Sequence, residues 1–264
     1  MKIAGFELVR LLLTRRGLLF LTAFLLAWLL MFRYAIWPAS QFVRNNNGNP
    51  LLDWLLSTGN AQSLMAWSIP ELGVYWYVAL FLLPLFTIFL TADQTASDRS
   101  RGTLRFLQLR ATRNDIYFGR FFGQLIILFL LVLITVLTTV AVAVYRDPQL
   151  VGNGIQELAI IVSQLMLMLT PFVALMALLS IMSKSARLAI IYAIIIWIVL
   201  KFGLPFIVSK VPALYFLEWL LPGFQLPLLR SADFMDQSMV YLIPALQSLL
   251  LLLLGWFVSR RIDL

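Results

Sequence analysis

Residues 97–144 read SDRSRGTLRFLQLRATRNDIYFGRFFGQLIILFLLVLITVLTTVAVAV. Six arginines fall between residues 99 and 120, and no charged residue follows until Arg146. An apolar run of roughly 18 residues or more matches the ~30 Å hydrocarbon core of a bilayer. Lipid leaves backbone donors unsatisfied, so such a run must be helical. The same reading extends outward to six runs, approximately residues 17–37, 72–91, 117–144, 158–182, 188–208 and 239–258. Only 12% of residues are charged and 62% are hydrophobic, against about 25% charge in a soluble domain. The mean hydropathy is +0.93. The predicted fold is an all-α polytopic membrane protein, with residues 1–264 forming one transmembrane domain.

Absences narrow the chemistry. The chain has no cysteine and no histidine, which excludes disulfides, thiol nucleophiles, thiolate metal sites and imidazole catalysis. Acidic residues number 12 and are dispersed; only Asp93 with Asp98 and Asp233 with Asp236 come close together. A metal-dependent lipid phosphotransferase or prenyltransferase needs a tighter acidic cluster, and a serine–histidine intramembrane protease needs a histidine. An enzyme is therefore disfavoured. The net charge of +8 is explained by membrane topology rather than by nucleic acid, which is not an expected partner. Lys2, Arg10, Arg15 and Arg16 precede an apolar run without a small-residue cleavage pattern, so the N-terminus does not read as a cleavable signal.

Lysine and arginine set the orientation. With the N-terminus in the cytoplasm, 14 of the 20 basic residues fall on the cytoplasmic side and six on the other. This bias places both termini and the 97–123 segment in the cytoplasm. On the outer side, 38–70 carries a polar stretch and then LLDWLL, too short to span. Residues 209–238 carry an apolar stretch cut by Pro222 and Pro227, read as a re-entrant or interfacial segment. Trp37, Trp54, Trp67, Trp76 and Trp219 are expected to form an aromatic belt there.

At 100° per residue, Asp98, Arg101, Arg105, Gln108 and Thr112 form one narrow stripe, while Leu104, Phe106, Leu107 and Leu109 cover most of the remaining surface. The spacing predicts a helix over 97–113 whose apolar side is buried in headgroups or in another protein. Arginine binds phosphates and carboxylates alike, so charge leaves membrane anchor and docking helix both open. Gly102 predicts a bend or close approach, and Asn114 or Asp115 a cap on the third span. Residues 1–16 predict a second amphipathic, interfacial helix with Glu7, Arg10 and Thr14 as its polar stripe. That helix serves either as an anchor or as a lever against the cytoplasmic loop.

Residues 98–120 resemble the segment after the second span in permease subunits of ABC-2 type ABC transporters. The family pattern is approximately E-[KR]-x-x-G-T-L-x-x-L-L-x-x-P-x-[ST]-R-x-x-I-x-x-G-K. Asp98, Arg99, Gly102, Thr103, Leu104, Leu107, Thr112, Arg113, Ile116, Gly119 and Arg120 stand at matching positions. Asp98 replaces glutamate, Ala111 proline and Arg120 lysine. The motif covers about a tenth of the chain. The resemblance implies a cytoplasmic coupling helix at 97–113 that docks a separate ATP-binding-cassette ATPase, through Asp98, Arg99, Arg101, Gly102, Thr103, Leu104, Arg105, Leu107 and Arg113. It also implies two permease chains, identical or not, with two ATPase chains in a bacterial inner membrane. The function implied is export of lipid-like, drug or peptide substrates. No G-x-x-x-x-G-K-[ST] phosphate loop occurs in this chain, so ATP and Mg belong to the partner and no cofactor is expected here. A membrane subunit that transmits ATPase-driven force without moving cargo is the alternative.

Within the spans, Lys201 is either a snorkelling side chain or a contact for substrate or an ion. Gln164 and Gln247 are read mainly as interhelical hydrogen-bonding groups, and otherwise as pathway residues. Thr87, Thr91, Thr135, Thr138 and Thr139 are expected to bond their own backbone.

Overall fold

The computed structural model describes residues 2–44, 67–109, 111–199 and 238–261, with 203, 222 and 223 besides. Lys201, the LLDWLL stretch, the second half of the expected fifth span and nearly all of 209–238 lie outside the described residues.

Helix α1 (Lys2–Leu13) is followed after Thr14 by α2 (Arg15–Met31). Thr14 caps α2, its hydroxyl accepting from the Gly17 N–H at 3.1 Å. A Cβ on Gly17 would collide with the Leu11 backbone, so glycine is what lets the two helices meet in a tight elbow. The first span does not stop at Trp37. A π turn over Phe32–Ile36 carries the helix into α3 (Trp37–Arg44), with the Trp37 N–H bonded to the Phe32 carbonyl. The wider turn resets the ladder just ahead of Pro38, which has no N–H to donate.

Four further long helices follow, with a shorter one among them: α4 (Pro70–Thr91), α7 (Arg113–Arg146), α8 (Val151–Met182), α9 (Ala186–Ile198) and α10 (Ser238–Arg261). Between α4 and α7 lie two short helices, α5 (Ala96–Ser100) and α6 (Thr103–Gln108). Among the described residues there is no strand, and five helices are long and apolar enough to cross a membrane. The apolar helix Ala186–Ile198 covers the start of the expected fifth span. The fourth span begins at Val151, seven residues before the hydropathy onset, because Asp147 caps a 3-10 turn over Pro148–Leu150 that feeds the helix.

Helix α8 is the most buried span and packs against α4, α7, α9 and α10. Side-chain packing and interhelical hydrogen bonds, rather than release of water, hold such a bundle together. Tyr75 and Trp76 are fully buried. The Tyr75 hydroxyl lies 2.8 Å from that of Thr135, and the Trp76 indole donates to Gln164 Oε1 at 3.0 Å. Thr87, Thr91, Thr135, Thr138 and Thr139 all bond carbonyls one turn back, as expected. The expected aromatic belt is corrected in part. Trp67 and Trp76 are buried with ring centroids 5.8 Å apart, because each indole finds more contact inside the bundle than at an interface. Trp54 and Trp219 lie outside the described residues.

Candidate functional site at the arginine-rich end

One end of the bundle gathers α1, α5, α6, the start of α7, the end of α8 and the end of α10. The continuous helix expected over 97–113 is two helices. Gly102 takes φ +71, a left-handed conformation that costs most side-chain-bearing residues roughly 1–2 kcal/mol. The backbone breaks there, so Asp98 does not share a stripe with Arg101. Asp98 instead turns inward and forms an ion pair with Arg120, a buried residue two turns inside α7.

Arg120 is the centre of a cluster. Its Nη1 donates to the Gln94 carbonyl and its Nη2 to Asp98 Oδ2, while its Nε lies 3.8 Å from Glu7 Oε1. Arg10 reaches Glu7 at 3.8 Å, Asp93 at 3.4 Å and Asp98 at 3.9 Å. Glu7 and Arg120 are both 4% exposed. Helix α1 therefore presents its polar stripe to α7 and leaves Phe6, Val9, Leu12 and Leu13 exposed. Where the outer medium is lipid, the apolar face belongs outside and the charges belong where they can pair. Burial pushes the Glu7 carboxyl above its usual value, and the attraction of Arg120 and Arg10 only partly opposes this.

The rest of the segment is tied down from both sides. Arg99 donates to the Ile181 carbonyl at 2.6 Å, and Thr95 and Ser180 hydroxyls lie 2.9 Å apart. The Thr103 hydroxyl closes the α5–α6 break by donating to Asp98 at 3.1 Å. Leu104 is buried, closing a small apolar cleft with Ile116, Tyr117 and Ile181 under the rim of Arg99 and Arg113. The α7 cap is Thr112 rather than Asn114 or Asp115. Thr112 and Asp115 form a reciprocal capping box, which satisfies two helix-end donors at once. Asn114 instead accepts from the Trp256 indole at 3.0 Å, and Arg113 donates to the Arg260 carbonyl at 3.2 Å.

These ties leave one face of α6 outward, with Phe106 71% and Leu109 82% exposed beside Arg101 and Thr103. The result is a short platform anchored to the ends of several spans and apolar on its free side. A family model described as ABC-2 family transporter protein matches residues 1–257. This chain belongs to the ABC-2 transporter family. Among curated proteins none matches it in sequence. The ABC-2 chain is an integral membrane protein, a membrane subunit of the transporter rather than its ATPase.

Of the residues singled out from the sequence of this ABC-2 chain, Asp98, Arg99, Gly102, Thr103, Leu104 and Arg113 are brought together. Arg101 is exposed and Leu107 half-buried. The Arg105 side chain and Lys201 lie outside the described residues. Gln164 and Gln247 are buried elsewhere, in the bundle. Gln164 bridges Trp76 and Tyr241, donating to the latter at 3.3 Å, so it joins α4, α8 and α10. Sequence reasoning did not assign Glu7, Arg10, Asp93 or Arg120 to the site. The signal was present in Arg120, an ionisable group within a span, which demands a partner.

Proposed function

We propose that this chain is the membrane-spanning permease subunit of an ATP-binding-cassette exporter, driven by a separate ATPase that docks on the α5–α6 platform. The observation that carries the reading is the exposed Phe106–Leu109 face on a segment otherwise bonded to the bundle. Large apolar side chains beside arginines suit a protein partner, with aromatic and arginine contacts as anchors. In this reading the arginine-rich end and both termini are cytoplasmic, and six spans lie in a bacterial inner membrane. Two permease chains, alike or different, pair with two ATPase chains that bind ATP and Mg. ATP binding closes the ATPase pair, and the platform shifts the spans between inward-open and outward-open states through differential ATP affinity for the two. The substrate class is lipid-like, drug or peptide, as in the transporters this segment resembles.

The partner-facing set differs from the one expected from the pattern alone. Leu104 faces the bundle, so Phe106 and Leu109 are the informative positions. Phe106→Asp and Leu109→Asp should abolish co-purification of the ATPase while membrane insertion and yield persist. Unchanged co-purification in both variants overturns the docking role.

A further inference from the structure

We infer that Arg120 is a positioning residue that ties α1 to the docking segment, so that the two are displaced as one body; the inference rests on the docking reading above. The geometry is specific to a guanidinium. Three nitrogens of one planar group address three elements: Nη2 the Asp98 carboxylate of α5, Nη1 the Gln94 carbonyl of the 92–95 turn, and Nε the Glu7 carboxylate of α1. A lysine is a single point charge on a flexible stem and cannot hold all three in a fixed relation. Arg10 closes the arrangement from the α1 side by lying within 4 Å of Glu7, Asp93 and Asp98.

A cluster of this kind is a poor source of net stability. Desolvation offsets much of the attraction between buried charges, and well-packed apolar residues often do as well. What the ion pairs supply is register, since removing one partner leaves the remaining buried charges, Glu7 and Arg120 among them, with fewer countercharges. Register between α1 and the platform matters because α1 continues through the Thr14–Gly17 elbow into the first span. A push on α5–α6 therefore reaches α2 by way of α1, in parallel with the covalent route from α6 into α7. Helix α1 is thus a transmitting arm, with only its outer apolar face given to lipid.

The test uses the full chain with its ATPase in lipid nanodiscs, reading amide hydrogen exchange of residues 2–13 and ATP turnover. Arg120→Lys and Glu7→Lys should each raise exchange over 2–13 by roughly tenfold or more, the effect of disrupting a buried ion pair, while the middle of α7 stays protected. Adding Asp98→Glu to Arg120→Lys restores reach to one carboxylate and should leave 2–13 fast. The ATPase should still co-purify with Arg120→Lys, with kcat for ATP reduced and KM unchanged. Wild-type exchange over 2–13 in Glu7→Lys, or full restoration by Asp98→Glu, overturns the tie. Failure of the unmodified chain to capture an ATPase is a separate result that overturns the docking reading, and exchange over 2–13 then still reports on Arg120.

Discussion

Glu7 shows how burial and pairing compete at one carboxyl. Desolvation raises its pKa above 4.5, the nearby Asp98 and Asp93 add to the rise, and Arg120 and Arg10 oppose it. A carboxyl that titrates higher in the folded chain binds its proton more tightly there than when unfolded. Its stabilising contribution is therefore complete below pH 4.5 and declines as pH rises through the folded value. Thermal unfolding should show this as a loss of stability above pH 4.5 in the unmodified chain. Glu7→Gln should flatten that slope, whereas an identical pH dependence in both would assign the titration to another group. At Asp98, the residue type was readable as part of a motif but its direction was not. The left-handed Gly102 rotates α6 away from α5, and a single straight helix had put Asp98 on the outer stripe.

At the scale of elements, apolar run length is a strong signal in a bilayer and boundaries are weak ones. The third span gains a turn at its start because Thr112 and Asp115 cap it, and the first continues past Pro38 because a π turn absorbs the missing donor. The elbow between α1 and α2 is the element most exposed to test. A methyl at Gly17 meets the Leu11 backbone, while one at Gly5 meets nothing within 4 Å. Gly17→Ala should cost about 1–3 kcal/mol of overpacking and unseat α1, measured as faster exchange over 2–13. Gly5→Ala should gain up to about 1 kcal/mol from helix propensity. Equal behaviour of the two variants would remove the elbow from the account.

For the whole molecule, the arginine-rich end and the Arg146 end are separated by α7, whose 34 residues span about 51 Å at ~1.5 Å per residue. In the proposed orientation, which rests on charge asymmetry, the first end is cytoplasmic. The absence of native cysteine makes the assignment directly testable with single substitutions at exposed positions. Tyr145→Cys should react with a membrane-impermeant maleimide in intact cells, and Arg101→Cys only after the membrane is opened. The reverse pattern would invert the topology and place the platform out of reach of any ATPase.

Composition, run length and the 98–120 motif were enough to determine a helical membrane protein and its family. These are local properties, set by the transfer of side chains to lipid and by the spacing of residues within single elements. Tertiary structure alone decided which way the charges point. Glu7 and Arg10 read as the polar stripe of an interfacial helix, and Trp67 and Trp76 as part of a belt, until packing buried Glu7 and both indoles and drew Arg10 into the ion-pair cluster. The reason is physical: in a bilayer the apolar face of a helix needs no protein partner, whereas a buried charge does, and only the folded chain brings residues 7, 98 and 120 within reach of one another.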